Sequence, residues 1–284
     1  MKMANQGSKM NIHWFPGHMA KARREITEKI KVIDIVIELV DARAPYSSKN
    51  PMINEITKNK PRLIVLTKKD MADDQYTKQW VQYYEKCGYQ AMSVNLKNFN
   101  EYQKVIEKCR VVLKDKMEKE KARGLKPRAI RAMVLGIPNV GKSTFINKLA
   151  NRKATVTGNK PGVTKAQQII RIAKDFELFD TPGVLWPKLD DEHVAKNIDD
   201  LFIEAMRYLS KHYPELLKER YQLEIDENDP DWIIHTFDHI AKIRKIKPLH
   251  GETDYDRVME LFFSEVNDGS IGKITWEDPT CVND

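Results

Sequence analysis

The stretch GIPNVGKST, residues 136–144, follows the apolar run AMVL and precedes the helical pattern TFINKLA. It has the spacing GxxxxGK[ST] in the strand–loop–helix setting that this spacing requires. Gly136 and Gly141 let the backbone curl until its N–H groups face phosphate oxygens. A helix that starts near Lys142 adds the positive end of its dipole. Lys142 supplies a point charge for β and γ phosphates, and Ser143 offers a hydroxyl to Mg²⁺. Asn139, Val140, Gly141, Lys142, Ser143 and Thr144 are the expected phosphate-binding loop.

Further elements lie on both sides of this loop. DTPG (180–183) ends the strand-like DFELFD. An Asp at a strand end, Asp180, can hold Mg²⁺ through water, and Gly183 can present its amide to a γ-phosphate. Alone this is an ordinary turn; 39 residues after the start of the phosphate loop's final GKST it becomes a second element. Thr164, in the intervening GNKPGVTKAQQ, can close on Mg²⁺ when the γ-phosphate is present. Upstream, TKKD (67–70) ends the apolar RLIVL and resembles the [NT]KxD element of guanine-specific GTPases. Its Asp70 can accept from guanine N1 and N2 together, Lys68 can lay its stem over the ring, and Thr67 opens the turn. Ser93, Val94 and Asn95, also after a strand, resemble the degenerate SAK element near guanine O6.

The order is inverted relative to Ras-like GTPases, because the base-reading elements precede the phosphate elements. The same sheet forms if a chain is cut and rejoined, since the termini of compact domains lie close together. The basic, Gly- and Pro-containing segment 114–131 would be the new joint. Apolar runs at 32–40, 62–67, 89–94, 131–136 and 175–180 read as strands, and 18–31, 73–87, 99–122 and 142–150 as helices, which implies a mostly parallel sheet covered on both faces. Helical periodicity alone continues in 194–213, 232–243 and 254–266. The expected organisation is an extension at 1–10, an α/β domain at 11–188 and a helical domain at 189–284.

Composition sets limits on partners. The chain has 284 residues, 41% hydrophobic and 31% charged. No apolar run approaches the roughly 18 residues a membrane span needs, and the start, which lacks an apolar core, is not expected to act as an export signal. Three widely spaced cysteines without a CxxC pair point away from disulfides and zinc, toward a reducing cytosol. The net charge of +7 hides an asymmetry: residues 1–184 carry 36 Lys+Arg against 18 Asp+Glu, and residues 185–284 carry 12 against 23. A basic first part favours a polyanion such as RNA, contacted locally. Three clusters are candidates: Lys21, Arg23, Arg24, Lys29 and Lys31; residues 110–131; and KIRKIK (242–247).

At this point the chain resembles the circularly permuted GTPases, most closely the bacterial ribosome biogenesis GTPase A (YlqF) family. The resemblance runs from Ile12 onward and is carried by WFPGHMAKARREI (14–26), ELVDARAPYSSKNP (38–51), KPRAIRAMVLGIPNVGKST (126–144) and DTPGVLWPK (180–188). It implies an α/β Ras-like P-loop GTPase fold, circularly permuted, with a C-terminal all-α domain similar to RNA-binding ANTAR modules. It also implies a cytoplasmic, monomeric factor that binds GTP and GDP, acts on the large (50S) ribosomal subunit precursor and its rRNA late in assembly, and leaves after hydrolysis. The alternatives are a GTPase serving tRNA or another RNA system, or a GTP-dependent RNA-binding scaffold with little turnover. Val184 follows DTPG where Ras-like proteins have a water-orienting Gln, and the resemblance assigns the catalytic role to His18. Asn139 resembles the Asn that coordinates K⁺ in potassium-activated GTPases. Thr67 replaces a more usual Asn, and this shorter side chain is expected to support its loop less well. The stretch 190–202 is shorter than its family equivalent.

Overall fold

The computed structural model describes residues 23–24, 26–95, 97–150, 169–179 and 198–282. His18, Thr164, Asp180 and Gly183 lie outside them. The strands are β1 (Ile35–Asp41), β2 (Arg62–Thr67), β3 (Gln90–Ser93), β4 (Ile130–Gly136), β5 (Ile169–Ala173) and β6 (Phe176–Phe179). The helices are α1 (Pro51–Ile56), α2 (Asp74–Lys86), α3 (Phe99–Ala122), α4 (Lys142–Leu149), α5 (Ile198–His212), α6 (Pro214–Tyr221), α7 (Trp232–Arg244) and α8 (Tyr255–Asp268).

One sheet runs in the order β3-β2-β1-β4-β6-β5. β5 is antiparallel to β6, and the other pairings are parallel. The first strand is therefore central, flanked by β2 and by β4, which comes three strands later in the chain. This is the topology expected of a Ras-like sheet whose chain has been cut and rejoined.

Parallel strands covered on both faces read as nearly continuous apolar runs, and β1 does: Ile35, Val36, Ile37, Leu39 and Val40 are all fully buried. The side chains alternate between two cores. Ile35, Ile37, Leu39, Leu63, Val65, Ala132 and Val134 meet α3 and α4 through Tyr102, Val105, Ile106, Phe145 and Ile146. On the other face Val36, Met133 and Leu135 meet Ile26, Ile30, Met52 and Ile53. Val40, Ile64 and Leu66 meet Trp80 and Tyr84 of α2.

The 24 residues of α3 carry the chain back from edge strand β3 to β4. The expected joint is closed by one buried carboxylate. Asp34 accepts from Lys116 Nζ at 2.7 Å, from Arg128 Nη1 at 2.6 Å and Nη2 at 2.8 Å, and from Arg131 N at 3.0 Å. Burial would raise its carboxyl, but the Arg128 and Lys116 hydrogen bonds outweigh burial and hold it well below the usual carboxylate range. Arg110 pairs with Asp175 at 2.9 Å. Part of the basic cluster at 110–131 is thus committed to the fold. Lys119, Lys121, Arg123 and Lys126 remain exposed.

Residues 198–282 build a second core around Phe202, Met206, Leu209, Tyr221, Phe237, Ile240, Val258 and Phe262. Phe202 and Phe237 stack with centroids 4.4 Å apart. The buried Glu265 is satisfied by Arg220, Arg244 and the Tyr221 hydroxyl. In KIRKIK, Ile246 packs against this core while Lys242, Lys245 and Lys247 are exposed.

Residues 274–277 then run as a strap along the carboxyl edge of the sheet. Ile274 N donates to Met71 O at 3.1 Å and Trp276 N to Arg43 O at 2.7 Å. The Glu277 carboxylate accepts from Tyr46 N at 2.6 Å and Ser47 N at 3.0 Å, and Glu277 O accepts from Trp80 Nε1 at 2.9 Å.

Candidate functional site

The parallel strands β4, β1, β2 and β3 all end at one edge, where open α/β sheets bind ligands. The loops that follow them hold every described site candidate. β4 ends at Gly136, whose added Cβ would lie 2.9 Å from both Leu39 O and Val140 Cγ1. Only a residue without a side chain lets β4 and β1 approach so closely there. Asn139 (φ 62) and Gly141 (φ 97) make the two left-handed bends that turn the loop into α4. The first residue of α4 is Lys142. Ser143 and Thr144 therefore sit in the first helical turn, where backbone N–H groups lack intrahelical partners and the dipole favours an anion. Asn139 is exposed at the loop's tip and Val140 is buried beneath it.

Two strands away, Thr67 ends β2. It is fully buried, and its Oγ1 lies 2.8 Å from Val140 O and 3.0 Å from Val40 O. One hydroxyl proton shared between these carbonyls ties the 67–70 turn to the 136–144 loop across the end of β1. The shorter side chain expected to weaken this support reaches the phosphate-side loop directly. Lys68 is in the left-handed region (φ 57) and its Nζ lies 2.8 Å from Asp41 Oδ2. Asp70 Oδ2 is 2.7 Å from Lys97 Nζ, a side chain 79% exposed.

The 93–95 turn packs beside them. Val94 N donates to Leu66 O at 2.8 Å, Val94 O accepts from Lys69 N at 3.4 Å, and Val94 is buried. Asn95 N donates to the Glu101 carboxylate at the start of α3. Ser93 is half-buried at the end of β3. The structure thus brings together Thr67, Lys68, Asp70, Ser93 and Val94 on one side of β1, and Asn139 to Thr144 on the other. Two interstrand spacings of about 4.8 Å separate the sides, a gap that a nucleoside spans from base to phosphate.

Sequence reasoning passed over Asp41, Arg43 and Lys97. Asp41 ends the apolar run of β1 much as Asp180 ends DFELFD in the sequence, so the same signal was present. Burial would raise the Asp41 carboxyl, but the hydrogen bond and charge of Arg43, followed by those of Lys68, hold it below the usual range. Among the described residues no three His, Cys, Asp or Glu side chains gather as a metal cluster. The Ser143 hydroxyl is the kind of hard oxygen donor Mg²⁺ takes when phosphates and water complete its shell.

A family model for RsgA GTPase matches residues 20–190, and one for 50S ribosome-binding GTPase matches residues 131–259. The chain is 50% identical over 283 residues to ribosome biogenesis GTPase A of Bacillus cereus, covering 95% of both chains. A relative of that name from Thermotoga maritima is 29% identical, with 94% and 95% covered. The crystal structure of GNP-bound YlqF from T. maritima superposes with a TM-score of 0.59 at 25% identity, covering 92% of this chain and all of that one.

Proposed function

Because the chain belongs to the ribosome biogenesis GTPase A family, we propose that this GTPase acts late in assembly of the large ribosomal subunit, binding the precursor particle and its rRNA with GTP and leaving after hydrolysis. The observation that supports the site assignment is the Thr67 hydroxyl on Val140 O, which holds a guanine-type turn and a phosphate-type loop in one rigid frame. Asp70 reads the guanine N1 and N2 donors, Lys68 lies over the ring, and Ser93 and Val94 border O6. The N–H groups of residues 139–144 and the Lys142 ammonium hold the β and γ phosphates.

Ser143, together with Thr164 and Asp180, would hold Mg²⁺, which neutralises phosphate charge and polarises the γ-phosphoryl group when bound. Asn139 offers its exposed amide oxygen to K⁺. His18 orients the attacking water, the role that a polar side chain at Val184 would fill elsewhere. Positioned groups of this kind are worth about 10²–10⁴-fold in rate. Since such a group acts on the transition state, its removal leaves nucleotide affinity nearly intact.

Basic side chains left exposed by the fold, Lys119, Lys121, Arg123 and Lys126 among them, supply phosphate contacts to rRNA. The test is GTP hydrolysis with and without large-subunit precursors. Turnover should rise sharply with the particle, and His18→Ala should bind GTP and particle normally yet lose that rise. Stimulation by tRNA alone, or none by any particle, would overturn the assignment.

A further inference from the structure

Asp41 stands where the two halves of the site meet. It ends β1, the strand between the phosphate-side and base-side loops. Its Oδ2 lies 2.8 Å from Lys68 Nζ and 2.9 Å from Arg43 Nη2; its Oδ1 accepts from Arg43 Nε and Arg43 N, both at 3.0 Å. Ser48 Oγ accepts from Asp41 N at 2.8 Å, fixing the backbone of the turn. Arg43 is itself immobilised, because its Nη1 donates to Val266 O at 3.2 Å and Asn267 O at 3.4 Å near the end of α8. Those carbonyls belong to the last turn of a helix, where they lack intrahelical partners and attract a cation.

The cluster is three-quarters buried or more. Asp41 and Arg43 expose 13% of their side chains and Lys68 24%. A flexible lysine carries about 2 kcal/mol of rotamer entropy. Anchoring its ammonium on a carboxylate already locked by a bidentate arginine removes that freedom before any ligand arrives. A pre-ordered stem then gives up little entropy when a planar base settles on it.

We propose that Asp41 is a positioning residue for nucleotide binding: through its bridge to Lys68 it holds the lysine stem as a preformed shelf for the guanine ring. This rests on the reading of 67–70 as the base-binding turn. Asp41 contacts neither base nor phosphate in this role. It raises affinity for any nucleotide that uses the shelf and leaves guanine selection to Asp70.

The two claims separate in a mutant cycle read by GDP and GTP affinity on the full chain. Lys68→Ala, which removes the shelf, should weaken both nucleotides by about tenfold or more. Unchanged affinity in Lys68→Ala would remove the base-turn reading and the proposal with it. Lys68→Met keeps an apolar stem but loses the anchored ammonium, and Asp41→Asn keeps the shape but loses the anchor; each should weaken binding by about three- to tenfold. In a Lys68→Met background, Asp41→Asn should add less than about twofold, since its partner is gone. A purely structural Asp41 would give the same loss in both backgrounds, and that additivity would overturn the proposal. Should Asp41→Asn fail to fold, Lys68→Met alone decides: wild-type affinity in that variant means the bridge does not hold the shelf.

Discussion

Thr67 holds the site's frame with a single hydroxyl. Thr67→Val preserves its volume but leaves Val140 O and Val40 O without their shared donor, at a cost of about 1–3 kcal/mol. The urea midpoint should fall accordingly and GDP should bind more weakly. The preference for guanine over other bases should persist, because Asp70 is untouched. Asp70→Asn should do the reverse: fold normally, lose GTP, and favour xanthosine triphosphate, whose base presents an acceptor where guanine has a donor. A competition assay between the two triphosphates decides it, and retained preference for GTP would take Asp70 out of the base site. In the structure Lys97 occupies that carboxylate. The Lys97 end of this pair is largely exposed, so the contact is weak and screened by salt, and guanine displaces it at little cost. The sequence pattern located Asp70 through its motif. Lys97 carries no such signal, because only the fold brings it alongside Asp70.

The long helix with one buried face and the strands buried on both faces were the most legible. The reading at 99–122 coincides with α3, and those at 62–67 and 131–136 agree with β2 and β4 to within a residue. The misses are short or sit at an edge. β5 (Ile169–Ala173) is the sheet's edge strand, with only Ile170 fully buried along it, so its run has no strong alternation. α1 and α6 span 6 and 8 residues, about two turns, too few for a helical period to emerge. The apolar reading at 32–40 began too early, because Ile30–Val32 form a 3-10 turn before β1. At 114–131 the lock has no local sequence signal, because Asp34 lies about 80 to 100 residues from its cationic partners. Asp34→Asn should cost about 1–3 kcal/mol at neutral pH. Since the folded carboxyl is held below its ordinary value, that contribution is complete above about pH 4 and is lost as pH falls further. Urea midpoints of wild type and variant should therefore converge in acid, and a constant gap from pH 7 to pH 3 would exclude charge as the cause. Gly136→Ala should also destabilise, by about 1–3 kcal/mol, because its Cβ meets the backbone oxygen of Leu39. The same contact predicts impaired nucleotide binding, measured beside the melt, since relief requires the phosphate-side loop to shift.

Charge organises the whole molecule on a larger scale. The basic surplus of residues 1–184 predicts association with rRNA-containing particles that weakens as salt rises. Alanine at Lys119, Lys121, Arg123 and Lys126 should lower the slope of log affinity against log salt by up to about 1 for each cation that contacts a phosphate. An unchanged slope would place the RNA face elsewhere, and Lys242, Lys245 and Lys247 are the next to test. The strap at 274–277 has a different consequence. It joins backbone to backbone at the turn beside Asp70, so the nucleotide and the helical core share a boundary. Whatever binds on one side of a shared boundary alters affinity on the other by the same factor. GDP should therefore protect the helices from protease and raise the melting temperature of both cores in one transition. By the same reciprocity, a ribosomal surface that pries the helices outward must shorten the nucleotide's stay. The clock that times release is then set partly at Thr275, whose hydroxyl accepts from the Asp73 amide 202 positions away in the chain.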